Sequence, residues 1–396
     1  MDKDGKTMDE DDKTKEGQQG ININVLKQGL CTGCSACVGL CPSMEYYKDK
    51  TILFHDCNLP KGRCFTYCPR TPTDLEALRC ALFKPEDMVW EIGAFKGLYM
   101  TRATDKTIRE GAQHGGTVTA LIQLALAEGI IDESILADQD DQFLPVAQPI
   151  DDVDEVFGKA GSKFVVSPTL LAFNRISQTD TGKIGVVATP CQAMALAKMR
   201  VNPVSQDKIR MEKLKLVIGL FCGWALDWRL FQELLKEKVR GCRIKSIDIL
   251  PSKHACMEIV TDEKIVKIPI KEVLNCVRDN CNYCFDMTCE FTDISVGSAR
   301  SEEGWDVDKG WNQVIVRTSL GAKLLALARE KCILEFKDVP DKNIEKLKKA
   351  SANKKRTCLM NLVQKTGSSD DLIYIDPEDP VVRQIQTGRI YVEHIA

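Results

Sequence analysis

Residues 183–199 read KIGVVATPCQAMALAKM, and this stretch decides the fold. The apolar run IGVVA predicts a buried strand, the Thr-Pro pair predicts a turn, and the residues after it predict a helix. The same order recurs where GLYMTRA at 97–103 is followed by HGGTVTALIQLALAEGIID at 114–132, and again in KLKLVIGLFCGWALDWRLFQELLKEKV at 213–239. Strands that alternate with helices predict an α/β core with some parallel pairing.

The regions around these repeats extend the same core. SILAD at 134–138 predicts a further strand, and residues 243–270 alternate in polarity, which predicts antiparallel strands. QVIVRT at 313–318 predicts a strand, residues 321–330 a helix, and residues 341–364 a last helix. The predicted fold is therefore an α/β core with a mixed sheet.

The composition excludes several classes of protein. A chain of 396 residues has room for two or three domains and a large core. Its net charge of −3 and its 6% of aromatic residues give no indication of a nucleic-acid partner. Residues 1–20 lack the apolar segment of a secretory signal, and no run of 18 apolar residues predicts a membrane span. We therefore expect a cytoplasmic protein, whose 18 cysteines indicate metal ligands rather than disulfides.

Residues 31–42 contain a compact cysteine motif, CTGCSACVGLCP. Its spacing, Cys31-x2-Cys34-x2-Cys37-x3-Cys41-Pro, is that of ferredoxins with two [4Fe–4S] clusters. Three cysteines at intervals of three surround one cluster, and the fourth, before the proline, binds the other. A zinc site or a fold without metal is the alternative, but this spacing is far more specific for [4Fe–4S] than a single C-x2-C pair.

A second, incomplete cysteine set follows the first. The ligand sets expected from exchange of the fourth ligand are Cys31, Cys34, Cys37 and Cys68 for one cluster, and Cys41, Cys57 and Cys64 for the other. The gap from Cys57 to Cys64 is one residue too long, and its middle cysteine is absent. Either Cys80 supplies the missing ligand of the second cluster or that site is empty, so the sequence predicts two or three clusters in total.

A third group of cysteines lies some two hundred residues further on, as Cys281-x2-Cys284-x4-Cys289. Three cysteines in nine residues suit three ligands of one iron–sulfur cluster, with zinc as the alternative. Cys191 is the candidate fourth ligand, because it follows a buried strand at the edge where an α/β sheet gathers its ligands.

Two further cysteines compete with Cys191 for this role. Cys276 and Cys222 are the rivals, although Cys222 is equally well explained as a buried core residue. The remaining cysteines are isolated in the sequence and are expected to be structural: Cys242, Cys256, Cys332 and Cys358.

The glycine turn before the helix of residues 117–129 is a candidate binding site. Consecutive glycines let backbone N–H groups approach a phosphate, and a helix N-terminus adds a favourable field. An ordinary turn at a helix start is the alternative, as an ordinary surface loop is for the Gly- and Trp-rich residues 297–312. The candidate cofactor-binding residues are His114, Gly115, Gly116, Thr117, Val118, Thr119, Ser162, Lys163, Gly297, Ser298, Trp305, Trp311 and Asn312.

Taken together, these segments resemble the beta-subunit family of coenzyme F420-reducing hydrogenases and dehydrogenases, from about residue 23 to 365. The segments that carry the resemblance are CTGCSACVGLCP, GRCFTYCPRT, HGGTVTALIQLALAEGIID, GSKFVVSP, VVATPCQAMAL, VIGLFCGW, NCVRDNCNYCFDMTCEFTDISVGS and GWNQVIVRT. The order of all of them together is highly specific, although each alone is not. The chain length and the N-terminal motif look most like the formate dehydrogenase beta subunit within this family.

The resemblance implies cofactors, partners and an activity. It implies FAD at the glycine turn and a [4Fe–4S] cluster on Cys191, Cys281, Cys284 and Cys289 beside that flavin. It implies that the chain exchanges a hydride with coenzyme F420, reversibly, and passes single electrons to or from a partner. The expected partner is the catalytic alpha subunit of a molybdenum or tungsten formate dehydrogenase of methanogenesis, within a larger electron-transfer complex. The alternatives are a ferredoxin-dependent flavin reductase of the same family and an adaptor subunit with no substrate of its own.

These expectations divide the chain into four parts. The predicted parts are a disordered tail at 1–20, a small ferredoxin-like iron–sulfur domain at 21–85, a flavin- and cluster-binding α/β domain at 95–340, and a C-terminal helical extension and tail at 341–396.

Overall fold

The computed structural model describes residues 15–140, 142–179, 182–204, 207–249, 255–299 and 310–387. Its strands are β1 Met44–Tyr47, β2 Lys50–Leu53, β3 Met88–Val89, β4 Gly93–Ala94, β5 Gly97–Ala103, β6 Glu133–Gln139, β7 Pro145–Ile150, β8 Ile184–Ala188, β9 Leu214–Leu220, β10 Ile244–Ile249, β11 Cys256–Thr261, β12 Ile265–Pro269, β13 Ile294–Ser298, β14 Asn312–Val316 and β15 Leu334–Lys337. Its α-helices are α1 Gln18–Ile21, α2 Arg63–Tyr67, α3 Leu75–Leu82, α4 Lys106–Gly111, α5 Thr117–Ala127, α6 Thr169–Ile176, α7 Pro190–Val201, α8 Lys208–Glu212, α9 Trp228–Val239, α10 Ile270–Leu274, α11 Ser319–Glu330, α12 Asp341–Thr366 and α13 Pro380–Gln386.

An eight-stranded mixed sheet forms the centre of the molecule, in the order β15-β5-β14-β13-β9-β8-β6-β7. The four strands β13, β9, β8 and β6 run parallel to their neighbours within this row. The remaining pairings are antiparallel. This confirms the predicted α/β core with a mixed sheet.

The stretch at residues 183–199 shows why the sheet forms. Every residue of β8 is buried, as expected for a parallel strand covered on both faces. Thr189 ends the strand and caps α7 with a capping box, in which Gln192 returns the hydrogen bond, and Pro190 occupies the first turn. Proline suits the first turn of a helix because it has no N–H group that would need a partner there. The capping box and this proline together define where the strand ends and the helix begins. Cys191 is thereby held at the carboxyl end of β8.

The carboxyl edge of the parallel strands gathers the segments of interest. The residues that follow β8 and β9 lie at this edge, and so does the start of β14, because Asn312 pairs with Thr101 near the end of β5. The glycine turn follows β5 along the chain, and the Ala103 N–H donates to the Gly115 carbonyl over 2.7 Å. The cysteine after β8 and the glycine turn therefore share one edge of one sheet.

The N-terminal segment packs directly on this core. It contains the β1–β2 hairpin and short helices, with its cysteines in or beside loops. The Asn174 amide of α6 donates to the carbonyls of Ala36 and Val38 over 3.1 and 2.7 Å, and the Tyr67 hydroxyl donates to Asp207 over 2.6 Å. The assignment of this segment as a ferredoxin-like domain stays a prediction.

Two smaller parts complete the described chain. The three-stranded antiparallel sheet β10-β11-β12 packs with α9 and α10 around Phe231 and Ile259, which are buried. At the C-terminal side, α12 spans 26 residues and ends at Gly367, whose φ of 78° is left-handed. None of the described helices is both long and apolar enough to cross a membrane.

One boundary differs from the sequence prediction. Residues 1–20 are predicted to be a disordered tail, but α1 begins at Gln18, and this residue is buried. The Gln18 side chain donates to the His55 carbonyl over 2.5 Å and accepts from the Cys57 N–H over 2.8 Å, so it joins the N-terminal helix to a cysteine loop. Residues 1–14 of the predicted tail lie outside the described residues.

Candidate functional site

The structure brings the predicted ligands Cys31, Cys34, Cys37 and Cys68 to one cavity. This first cysteine group lines one cavity together with apolar residues such as Ile21 and Val25. The four thiols come from two separate segments, so the cavity forms only when α1 and the loop after α2 close on the cysteine motif.

The electrostatic surroundings of the first cysteine group are unusual for free thiols. Burial raises the pKa of Cys34, and the neighbouring thiols of Cys191 and Cys68 raise it further. Burial likewise raises the pKa of Cys68 to about 11. Because the thiolate is the form that binds metal, converging buried thiols of this kind are stable as thiolates only beside cations such as iron. The donor set therefore fits a [4Fe–4S] cluster.

The second cysteine group, Cys41, Cys57 and Cys64, also comes together. Burial raises the pKa of Cys64 to about 12, with Cys41 the next largest cause and Cys57 and Cys68 contributing. Cys80 is exposed on α3. The group thus supplies three thiols, one fewer than the four of a standard cubane site.

The internal cysteine group is larger than the sequence predicts. It contains the four predicted ligands Cys191, Cys281, Cys284 and Cys289, and it also contains Cys222 and Cys358. Burial raises the pKa of Cys222 well above its ordinary value, and Cys281, Cys284 and Cys191 raise it further. Burial also raises the pKa of Cys289, to which Asp286, Cys191 and Cys222 contribute.

The rival ligands of the internal cysteine group separate in space. Cys276 packs in the core between α9 and the small sheet, where its neighbouring charges are Asp227 and Glu233. Cys222 lies within the group, so it stays a candidate ligand beside Cys289.

Cys358 is the residue that sequence reasoning missed. It is predicted to be an isolated structural cysteine, but on α12 it is buried and Cys284 helps to raise its pKa to about 12, after burial. It lies some seventy residues from Cys284 along the chain, so no spacing pattern indicates the contact. Only the packing of α12 against residues 279–283 brings the two thiols together.

The first and internal cysteine groups are neighbours. Cys34 belongs to a buried cluster, with Cys191 packed against it, that spans the boundary between the N-terminal segment and the sheet, and Cys191 contributes to the raised pKa of Cys34. Arg278 connects the same regions, because its guanidinium donates to the Cys31 carbonyl over 3.2 Å and to Asp49 over 2.5 Å.

The glycine turn is tied to the edge of the sheet by Asn312. The Asn312 side chain accepts from the Thr117 N–H over 3.2 Å and donates to the Gly297 carbonyl over 3.2 Å. A Cβ on Gly115 would lie 2.7 Å from the Asn312 Oδ1, and Gly116 has a left-handed φ of 73°, so both positions require glycine. Gly297 is needed for packing too, since a Cβ there would lie 2.1 Å from the Phe221 ring.

The start of α5 has the properties of an anion site. Gly116 provides no side-chain cap, and the Thr117 N–H donates to Asn312, which leaves the N–H groups of Val118 and Thr119 at this helix N-terminus to meet a ligand. The positive end of an eleven-residue helix then faces the sheet edge, as at many phosphate sites. The cradle fits the phosphate groups of a dinucleotide such as FAD.

The other predicted cofactor residues lie around this turn. The Ser162 hydroxyl donates to Gln113, whose amide donates to Asp248 over 2.6 Å. Burial lowers the pKa of Lys163, whose ammonium donates to the Ala160 carbonyl over 3.0 Å. These contacts place Ser162 beside the turn and leave Lys163 half-buried near it.

The Gly- and Trp-rich loop is only partly described. Trp311 lies under the Arg102 guanidinium, 4.5 Å from its ring centre, and Ser298 ends β13 opposite Asn312. His114 precedes the two glycines in the turn. Trp305 lies outside the described residues.

Comparison with known proteins gives the same family over most of the chain. Residues 98–174 match the coenzyme F420 hydrogenase/dehydrogenase beta subunit N-terminal family, and residues 181–342 match the corresponding C-terminal family. The coenzyme F420 hydrogenase subunit beta of Methanothermobacter thermautotrophicus is 30% identical over 275 residues, which is 68% of this chain and 95% of that protein. The F420-dependent formate dehydrogenase subunit beta of Methanocaldococcus jannaschii is 26% identical over 251 residues, 62% of this chain and 63% of that protein.

A solved structure supports the fold. The F420-reducing [NiFe] hydrogenase complex of Methanosarcina barkeri contains a chain that aligns with a TM-score of 0.61 at 24% identity, over 71% of this chain and 95% of that one. The two family matches together cover more than half of the 396 residues. The chain therefore belongs to the coenzyme F420 hydrogenase/dehydrogenase beta subunit family.

Proposed function

We propose that this chain is a flavin- and iron–sulfur-containing oxidoreductase subunit that exchanges a hydride with coenzyme F420 and single electrons with a partner enzyme. One observation carries the proposal: the glycine turn and Cys191 share one edge of the sheet, and Cys191 is in turn a neighbour of Cys34 in the N-terminal segment. In this proposal the hydride site and the metal ligands are therefore adjacent. Relatives named for coenzyme F420 supply the identity of the soluble substrate.

The flavin in this proposal is FAD, held by the glycine turn. Bound there, FAD would supply the conversion between two-electron hydride chemistry and one-electron transfer, which iron–sulfur clusters require. The N–H groups of Val118 and Thr119 would bind its phosphates, and Ser162 and Lys163 would add a hydroxyl and a positive charge nearby. Asn312 fixes the turn to β14, so the helix terminus keeps one orientation relative to the sheet.

The clusters in this proposal are held by the three cysteine groups. We assign one [4Fe–4S] cluster to the first cysteine group and one to the internal cysteine group, with Cys191, Cys281, Cys284 and Cys289 as its ligands. The second cysteine group has three thiols, so a cluster there needs a ligand from outside it. We propose the ferredoxin-like domain at 21–85 and the flavin- and cluster-binding domain at 95–340. We also propose that the protein is cytoplasmic.

The proposed partner is the catalytic alpha subunit of a formate dehydrogenase. The hydrogenase relative matches 95% of its own length but only 68% of this chain, so about a third of this chain lies outside that alignment. The formate dehydrogenase relative is less similar, at 26% identity. A reductase of the same family with another substrate is the second candidate, and turnover of the deazaflavin separates the two.

The test is metal, flavin and activity analysis of protein purified without oxygen, with its co-purifying subunits identified. We expect iron and sulfide, one FAD per chain, and oxidation of reduced coenzyme F420 with a dye as acceptor. Protein with iron and flavin that does not oxidise the reduced coenzyme contradicts the coenzyme F420 assignment. Iron without flavin leaves an electron-transfer adaptor as the function and contradicts the proposal.

A further inference from the structure

Arg70 is a buried cation that pairs with no carboxylate among the described residues. It is 2% exposed, and its Nε has no hydrogen-bond partner. Its Nη1 donates to the Pro69 carbonyl over 3.4 Å, and its backbone N–H donates to the Cys68 Sγ over 3.4 Å. Within the described part of the chain, no carboxylate lies within ion-pair distance of Arg70.

The guanidinium points from Cys68 towards the internal cysteine group. It stacks on the Tyr374 ring with 4.6 Å to the ring centre. The Tyr374 hydroxyl donates to the Tyr283 carbonyl over 2.8 Å and lies 3.8 Å from the Cys358 Sγ. Cys284, next to Tyr283, is among the groups that interact electrostatically with Arg70, as are Cys191 and Cys358. Arg70 therefore lies between the first and internal cysteine groups.

A neighbouring arginine shows how this protein normally pairs a buried cation. Arg79 is 7% exposed and donates to Asp379 over 2.7 Å. Removing a charge from water is unfavourable unless a nearby anion compensates it, which is why buried arginines are normally paired. The groups near Arg70 are the Tyr374 phenol and the thiols of the internal cysteine group, so the negative charge that compensates Arg70 would come from a cluster bound by the thiols.

Lys198 repeats the arrangement on the other side of Cys68. Its Nζ donates to the Cys68 carbonyl over 2.7 Å and to the hydroxyls of Thr71 and Thr73 over 2.9 Å each. It is 5% exposed, and among the residues that the structure describes it too has no carboxylate partner. Two buried cations therefore converge on one ligand of the first cysteine group.

We propose that Arg70 is a positioning residue whose fixed positive charge stabilises the reduced state of the clusters held by the first and internal cysteine groups. This inference rests on the proposed function. A cluster that accepts one electron gains one negative charge, and no bond or proton transfer is needed for that step. A nearby cation in a low-dielectric interior stabilises that charge and raises the reduction potential. Arginine suits the role because its guanidinium stays protonated even when buried.

The experiment is a redox titration of the purified protein, followed by electron paramagnetic resonance, in three variants. Arg70→Gln removes the charge, Arg70→Lys keeps it, and Arg79→Gln is the matched control for loss of a buried arginine. At a fixed potential we expect the reduced-to-oxidised ratio of the clusters to fall about tenfold in R70Q, equal to about 59 mV for a one-electron couple. We expect R70K to fall less than R70Q, and R79Q to match the wild type.

The outcomes separate this inference from the proposed function. R70Q with full iron content and the wild-type ratio overturns the role of Arg70. If R70Q does not retain iron, R70K decides: a ratio within about threefold of wild type supports the role, and a tenfold fall contradicts it. Wild-type protein without iron overturns the proposed function, and this role with it.

Discussion

The first and internal cysteine groups are built in opposite ways. Three ligands of the first group lie within seven residues, Cys31 to Cys37, so local sequence alone sets most of the site. The internal group draws on the start of α7, the residues after β9, the 281–289 loop and α12, so it exists only in the folded protein. The comparison shows that a cysteine motif in the sequence predicts a local site well. A site assembled from distant segments can be identified only from the packing of the folded protein.

The largest expected effect is the loss of one group's iron without the other's. Cys281→Ser removes a ligand of the internal group, and we expect a loss of about four iron atoms per chain while the N-terminal iron stays. Cys37→Ser should do the reverse. Iron and sulfide analysis and visible absorbance measure both changes, with Cys332→Ser on the exposed surface as the control. Equal iron in C281S and wild type would refute the ligand assignment.

The next largest effect concerns the Asp49–Arg278 ion pair, which connects the first and internal cysteine groups. Asp49 is fully buried and pairs with Arg278 over 2.5 Å and Arg229 over 3.2 Å. Asp49→Asn leaves the buried Arg278 without its anion, and we expect a loss of about 3–5 kcal/mol in the free energy of unfolding. Because Arg278 also holds the Cys31 carbonyl, both groups should lose iron more easily.

Chemical denaturation measures the loss of stability in D49N, with a surface ion pair as the matched control. Lys61 pairs with Glu16 over 2.8 Å but is largely exposed, so Lys61→Met should lower the free energy of unfolding far less than Asp49→Asn. Equal losses in D49N and K61M would show that the two groups are not coupled through Asp49.

A smaller effect is expected at the C-terminal cover of the internal group. The Tyr374 hydroxyl donates to the Tyr283 carbonyl, and Asn361 donates to the Asn282 carbonyl over 2.8 Å. Tyr374→Phe leaves the Tyr283 carbonyl without this donor, so we expect a loss of about 1–3 kcal/mol and faster removal of internal iron by a chelator. Iron of the first group should leave at its wild-type rate. Uniform release from both groups would contradict a cover specific to the internal site.

The smallest effect is a pH dependence of stability at the contact between Tyr67 of the N-terminal segment and Asp207 of the core. Burial alone would raise the pKa of Asp207, but the Tyr67 hydroxyl and Arg210 lower it below its ordinary value. A depressed pKa adds stability above the ordinary aspartate range that is lost as pH falls through the lower folded value. Asp207→Asn should therefore flatten the stability profile below about pH 4, measured by denaturation. An unchanged acid slope would contradict this.

Much of the α/β core follows from periodicity, and the parts that do not are short or packed late. The prediction of GLYMTRA as a strand coincides with β5, and the helix predicted at 341–364 is α12. β7 and β15 went unpredicted, because edge strands such as Pro145–Ile150 carry half-exposed polar residues and no apolar run. The place of Cys358 in the internal group depends on α12 docking against residues 279–283, which no local pattern encodes.

The sequence predicts what types of site the chain contains, but it does not predict all the residues that form them. The motif at Cys31 to Cys41 and the glycine turn at Gly115 carry local signals. Arg70 carries none, since a single arginine after Cys-Pro has no periodicity or spacing that marks it as buried. Its role depends on Tyr374, three hundred residues away, closing over it.

The most direct test compares wild type and C281S, both purified without oxygen and mixed with reduced coenzyme F420. We predict that the coenzyme reduces the N-terminal iron of the wild type, seen by electron paramagnetic resonance, and that C281S retains this iron but reduces it at least about tenfold more slowly. Dithionite should reduce the N-terminal iron of both proteins. Reduction of the N-terminal iron in C281S at the wild-type rate would contradict the claim that the internal cysteine group connects the glycine turn to the first cysteine group.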